Sequence, residues 1–142
     1  MFKYKKLDPL AITPTSGSSL AAGLDLHTLD SVNIPPKMRA LLRTGLAFAL
    51  PEKTVGLIWP RSKLANKFGL IVLGGVIDCD YRGEVMISLL NTGDDIIELR
   101  SGDKVAQMIV QEHIEYEMYE TDDLGNTDRG TNGINDSEMR LR

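Results

Sequence analysis

Residues 74–85 read GGVIDCDYRGEV, two glycines and a charged, aromatic centre set between two β-rich stretches. Upstream, Leu70, Ile71, Val72 and Leu73 form a short apolar run. Downstream, Val85, Ile87 and Leu89 alternate with less apolar neighbours as far as the turn Asn91-Thr92-Gly93-Asp94. Alternation at period two is the pattern of a half-buried strand. The polar centre is therefore expected at the tip of a hairpin. One reading of Asp80-Tyr81-Arg82-Gly83 is a solvated turn in which Gly83 supplies a positive φ. The other is a functional tip, with two carboxylates, a ring and a guanidinium presented together.

The same pattern continues on both sides. Residues 39–50 place Leu42, Leu46, Phe48 and Leu50 on one face and stop at Pro51. Residues 55–59 form another run, closed by Pro60. Ile96 to Leu99, the turn Ser101-Gly102-Asp103 and Val105 to Ile114 complete the series. Only residues 62–67 look helical, for barely two turns, with Ser62 as the expected N-cap. Many short strands between closely spaced turns predict an all-β domain, a jelly roll, sandwich or small barrel with one short helix.

With 142 residues the chain is the size of one domain and can bury a core without disulfides or metal clips. The single cysteine, Cys79, fits a reducing, cytoplasmic or otherwise intracellular compartment. Lys3, Lys5 and Lys6 are not followed by an apolar segment of signal-peptide type, and no run approaches the length of a membrane span, so no membrane partner is expected. The formal net charge is -4, but it is unevenly placed. Residues 1–114 hold 13 Lys plus Arg against 12 Asp plus Glu, whereas residues 115–142 hold 3 against 8. This divides the chain into a compact body, 1–114, and a mobile C-terminal arm, 115–142, too poor in apolar residues to order itself unaided.

Several chemistries are excluded by what is missing. His27 and His113 stand far apart and the lone cysteine has no partner at zinc spacing. No serine sits in a G-x-S-x-G elbow, and neither a Walker A nor a G-x-G-x-x-G sequence is present. Five short polar segments remain, each beside an apolar run: AAGLDLHT (21–28), PRSKLA (60–65), GGVIDCDYRGEV (74–85), GDKVAQMI (102–109) and RGTNGINDS (129–137).

In this order the five segments resemble the five motifs of the trimeric dUTPases, over residues 21–137. The resemblance implies a β jelly roll assembled as a homotrimer, with three active sites built where subunits meet and a C-terminal arm from another subunit closing over each. It implies Mg²⁺-dependent hydrolysis of dUTP to dUMP and pyrophosphate, which limits uracil in DNA and supplies dUMP for thymidylate synthesis. No direct nucleic-acid binding is expected.

Residue by residue, the resemblance makes Asp78 the catalytic carboxylate that activates the water attacking the α-phosphorus. Tyr81 matches the ring that lies against the deoxyribose and rejects a 2′-hydroxyl. Backbone groups of Gly75, Val76, Ile77 and their neighbours up to Tyr81 would read uracil. Arg61 and Ser62 match the phosphate-binding pair, and Gln107 matches the glutamine beside the reacting phosphate. Asp25 matches the aspartate that holds magnesium through water. Arg129 and Gly130 belong to the arm that covers the phosphates.

Two motifs depart from the family. Lys63 stands where the family has glycine, and either adds attraction for phosphate or points to solvent. Ile134 stands where the family has the phenylalanine that stacks on uracil, so apolar cover is kept but the ring is lost, and Asp136 adds a negative charge nearby. Asp103 is expected to be structural, and Asp80 and Arg82 to brace the hairpin. Two other functions compete. One is a deoxycytidine triphosphate deaminase of the same trimeric fold, which needs a glutamate near the base. The other is a dUTP-sensing module whose altered arm meets a regulatory protein partner.

Overall fold

The computed structural model describes residues 2–132, twelve strands and one helix. In chain order the elements are β1 Lys3–Lys6, β2 Thr15–Ser16, β3 Leu24–His27, β4 Val32–Ile34, β5 Arg39–Arg43, β6 Leu46–Ala49, β7 Thr54–Pro60, α1 Ser62–Phe68, β8 Leu70–Leu73, β9 Val76–Asp78, β10 Met86–Asn91, β11 Ile97–Leu99 and β12 Lys104–Glu112. They form four open sheets rather than a closed barrel: β1-β6, β5-β10-β8, β11-β4 and β2-β3-β12-β7-β9, with antiparallel pairing throughout. Among the described residues no helix is long and apolar enough to cross a membrane.

Alternation places the core. Along β10 every second residue is buried, and Ile87 and Leu89 are fully so. They share one core with Leu42, Leu70 and Val85 and with Leu26, Leu46 and Met108 from other sheets. Each large side chain taken out of water contributes about 2 kcal/mol, so the sheets are held face to face by one shared apolar layer. Asn91, also buried, satisfies its amide through Nδ2 to the carbonyls of Ile34 (2.9 Å) and Asp95 (2.8 Å) and fixes the turn that follows β10.

The run expected over residues 39–50 is two strands, not one. At Gly45 the backbone has φ +68°, and a side chain there would lie 2.8 Å from Leu29 and 2.9 Å from Ala11. The chain therefore turns, with the Gly45 N–H donating to Glu84 Oε1 at 2.7 Å, and β5 and β6 join different sheets. Apolar spacing alone could not separate them, because Leu42, Leu46, Phe48 and Leu50 all reach the same core.

The hairpin expected across residues 74–85 is also corrected. β9 pairs with β7 and β10 pairs with β5 and β8, so the segment crosses between sheets. The Gly75 carbonyl accepts from Ile58 N at 2.7 Å, and a Cβ on Gly75 would come within 2.5 Å of the Ile58 carbonyl oxygen. A glycine is thus needed for the crossing strand to approach β7. Gly83 is not in the positive-φ region. Its bare backbone instead lies under the Tyr81 ring, where any Cβ would collide with the ring and its hydroxyl.

Helix α1 begins differently from expectation. Its N-cap is Arg61, in extended conformation and without a side-chain cap bond, so Ser62 is the first helical residue. It ends at Gly69, φ 68°, whose N–H bonds back to the carbonyls of Leu64 and Ala65.

The five-stranded sheet buries Leu26, Ile58 and Met108 on one face. Cross-strand partners share a face, so the other face carries Asp25, Gln107 and Trp59 in one row. Leu57, Ile109 and Val76 form the next, and Val55, Gln111 and Asp78 the third. Beyond β12, residues 115–132 are exposed, with an ion pair between Lys53 and Glu115 at 3.2 Å.

Candidate active site

The expected site residues fall into two groups on that outer face. The first surrounds a cleft of about 1100 Å³ whose lining includes Asp25, Arg61, Ser62, Lys63 and Gln107. Asp25, on β3, is 7% exposed, and both its carboxylate oxygens are engaged. Oδ1 lies 3.2 Å from Arg61 Nε and Oδ2 2.8 Å from Lys104 Nζ. Gln107 Nε2 donates to the Pro60 carbonyl at 3.1 Å. Its Oε1 lies so close to Gly23 that a Cβ there would be 2.5 Å away, so the glycine makes room for the glutamine. Ser62 and Lys63 are exposed on the first turn of α1.

His27 follows Asp25 along the same face and also lines the cleft. It is buried, and among the described residues its Nδ1 has no hydrogen-bond partner. Burial lowers its pKa below 6.5, aided by the positive charges of Lys104 and Arg61 and opposed by Asp25. The imidazole is thereby held toward its neutral form beside two cations.

The second group sits at the end of β9. Asp78, paired across from Val55, is exposed, and among the described residues it has no cation within salt-bridge distance. The turn after it closes through Tyr81 N to the Asp78 carbonyl at 3.1 Å. Arg82 Nη1 donates to the carbonyls of Cys79 (2.6 Å) and Tyr81 (3.0 Å), bracing the turn as expected. The Tyr81 hydroxyl donates to the Glu84 carbonyl at 3.0 Å, which holds the ring over Gly83 while 45% of the residue stays exposed. β9 is the last strand of its sheet, so among the described residues one edge of its backbone has no strand partner.

These two groups do not meet within one chain. Asp78 lies opposite Val55, near the start of β7, whereas Arg61 follows Pro60 at its end. Five strand steps of ~3.3 Å put about 17 Å between those backbone positions. Of the arm residues, Arg129 Nε donates to the Asn132 carbonyl at 3.0 Å and Gly130 N to the Thr127 carbonyl at 3.0 Å, both remote from either group in sequence and exposed. Ile134 and Asp136 lie outside the described residues.

Comparison with known proteins decides the family. A family model described as dUTPase matches residues 10–138. The deoxyuridine 5'-triphosphate nucleotidohydrolase of Arabidopsis thaliana is 44% identical over 133 residues, covering 94% of this chain and 80% of that protein. This chain belongs to the dUTPase family. The Wolinella succinogenes enzyme of the same name is also 44% identical, over 91% of this chain and 88% of its own. Among solved structures, the dUTPase of Staphylococcus bacteriophage 80alpha with dUPNHPP matches with a TM-score of 0.91 over 98% of this chain and 99% of that one, at 22% identity. A dUTPase from phage phi11 of S. aureus, in which a structural Mg(II) ion was described, matches with a TM-score of 0.83, covering 89% of this chain and 99% of that one, also at 22% identity. Both matches support the jelly-roll fold class.

Sequence reasoning missed Lys104 in this dUTPase, although it belongs to the fourth motif. A regular strand would point residues 104 and 107 to opposite faces. A register shift between Lys104 and Ala106 adds a residue to β12 and turns Lys104 onto the Asp25 side. Lys67, which also lines the cleft, carries no motif signal.

Proposed function

We propose that this chain hydrolyses dUTP to dUMP and pyrophosphate in sites shared between copies of a homotrimer, with Mg²⁺ as the metal. The observation that carries the reading is the division of the motif residues into a phosphate-type cluster and a separate carboxylate-bearing turn. Each is well formed, yet the two stand too far apart in one chain to serve one triphosphate. Placing the β9 turn of one copy against the cleft of the next completes a site and accounts for the exposed apolar face. Trp59 is 52% and Val76 64% exposed in the single chain, a cost that a covering subunit removes.

In this reading the cleft holds the phosphates. Arg61 offers a planar fork and Ser62 a hydroxyl, while Gln107, oriented by its bond to the Pro60 carbonyl, has a second Nε2 N–H to offer a phosphate oxygen. Asp25 keeps Arg61 and Lys104 oriented before substrate arrives. The metal reading fits this donor set in one form only. Among the described residues no group of three carboxylate, histidine or cysteine ligands exists, so an ion would be held mainly by phosphate oxygens and water, with Asp25 reached through water. Bound in that way Mg²⁺ would draw charge off the phosphates and fix their conformation.

At the other end, Asp78 is an open carboxylate that can accept a proton from the attacking water. The unpaired edge of Val76–Asp78 offers backbone donors and acceptors in the pattern that reads a base edge. The Gly75 carbonyl is committed to β7 and takes no part. The Tyr81 ring, held in place over Gly83, supplies the flat surface against the sugar. The arm that begins at residue 115 would bring Arg129 and Gly130 to the phosphates.

The test is to supply Mg²⁺ with dUTP, dCTP, dTTP or UTP in turn and follow pyrophosphate. Release from dUTP alone is expected. Deoxyuridine products from dCTP, or tight dUTP binding without turnover, would replace this reading with the deaminase or the sensor.

A further inference from the structure

Lys63 and Lys67 are the cations of the cleft that the reading above leaves without a settled task. They stand four residues apart on α1, hence on one face of the helix, and both line the same cleft as Arg61, Ser62 and Gln107. No residue of α1 is buried, so neither lysine is there to pack. Among the described residues neither ammonium is paired with a carboxylate. Arg61 and Lys104, by contrast, are both spent in part on Asp25. That triad carries a single net positive charge, whereas a triphosphate carries several negative ones.

Lys67 is also placed rather than free. Its Nζ sits 5.5 Å from the centroid of the Phe68 ring, which lines the cleft wall. Asp94, Asp95 and Glu98 line the same cleft, so an anion entering it is repelled by those carboxylates and attracted by the lysines of α1.

We propose that Lys63 and Lys67 form a second cationic step along α1, beyond Arg61, that takes the terminal phosphates of the nucleotide and then the leaving pyrophosphate. The inference rests on the dUTP reading for the order of events, but not for the ligand, which is a diphosphate-type anion. Being exposed, the two lysines act on affinity and salt dependence more than on the chemical step.

The experiment uses the full chain with Lys63→Gln, Lys67→Gln and the double variant, since glutamine keeps helix propensity. At fixed free Mg²⁺, the double variant is expected to raise KM for dUTP about tenfold with the loss falling on KM rather than kcat, and to weaken inhibition by pyrophosphate by a similar factor. Inhibition by dUMP, which lacks the terminal phosphates, should hold, and the double Lys→Arg variant should restore binding. Unchanged KM and unchanged pyrophosphate inhibition in the double Gln variant would overturn the proposal. So would a parallel loss of dUMP binding, which marks general damage. If the parent chain releases no pyrophosphate from dUTP, the functional reading is what has failed. Calorimetric titration of inorganic pyrophosphate into the parent and the double Gln variant then decides the subsite, with equal binding by the two overturning it.

Discussion

Asp25 and Asp78 stand on the same face of the same five-stranded sheet, in rows that the strand pairing fixes, and their surroundings could hardly differ more. Asp25 is buried, and each of its oxygens is held by a cation, Arg61 or Lys104. Asp78 is exposed at the end of an edge strand, next to a turn stiffened by Arg82 and Tyr81. The first carboxylate organises positive charge before any ligand arrives. The second is left open to solvent, with rigid backbone around it. A carboxylate held by two cations is poorly suited to take a proton from water, and the strand pairing sets the two carboxylates toward opposite ends of β7.

The largest expected effect comes from the open carboxylate. Asp78→Asn keeps shape and polarity but removes the proton acceptor, and should lower kcat by about a thousandfold while calorimetry finds dUTP binding within a few-fold of the parent. Loss of binding in parallel with turnover would mean that Asp78 works as Asp25 does, as an organiser.

A mixing experiment addresses the distance between the groups directly. Asp78→Asn and Arg61→Ala chains are each expected to be nearly inactive. Unfolded together in equal amounts and refolded, they should recover about a quarter of parental activity, because a site joining one copy's turn to another copy's cleft is intact one time in four. Sites confined to one chain would recover nothing, since every chain carries a lesion.

What the sequence made legible follows the same division. Period-two alternation revealed β10 and its core residues, because burial on one face leaves an unambiguous mark on composition. Residues 39–50 and 74–85 were misjudged in topology, since Leu42 and Leu46 face one core from two sheets and apolar spacing does not record which strand pairs with which. The motifs point to Arg61, Ser62, Lys63 and Gln107, which the fold brings to one cleft. Lys104 escaped because a bulge, not an alternation, turns it toward Asp25. Gly83 is expected to supply a positive φ, whereas it and Gly75 matter for close approach, to the Tyr81 ring and the Ile58 carbonyl. Such roles depend on a partner distant in space or on a ring folding back, and no local pattern encodes them.

Gly83 gives a smaller test on the Asp78 side. Gly83→Ala forces the Tyr81 ring off its seat, and should reduce the preference for dUTP over UTP about tenfold, as the fit around the absent 2′-hydroxyl loosens. The ratio of kcat/KM for the two nucleotides measures it. An unchanged ratio would show that the ring's position does not set sugar discrimination. The same change should leave pyrophosphate inhibition unaffected, since that reports the cleft.

The smallest effect belongs to the Asp25 side and appears in stability rather than turnover. His27 has a folded-state pKa below 6.5, chiefly through burial and then through Lys104 and Arg61. Its unfolded counterpart therefore binds a proton first as pH falls. The histidine's share of stability is fully present above 6.5 and is lost as pH drops through 6.5 toward the lowered folded value. Thermal unfolding followed across that interval, and kept above about pH 5 where ordinary carboxylates stay ionised, should show a falling Tm in the parent. His27→Gln, which cannot titrate, should flatten the slope. A parent and variant that fall together would place the pH sensitivity elsewhere, and would mean that the imbalance of cations around Asp25 is relieved by solvent rather than borne by the imidazole.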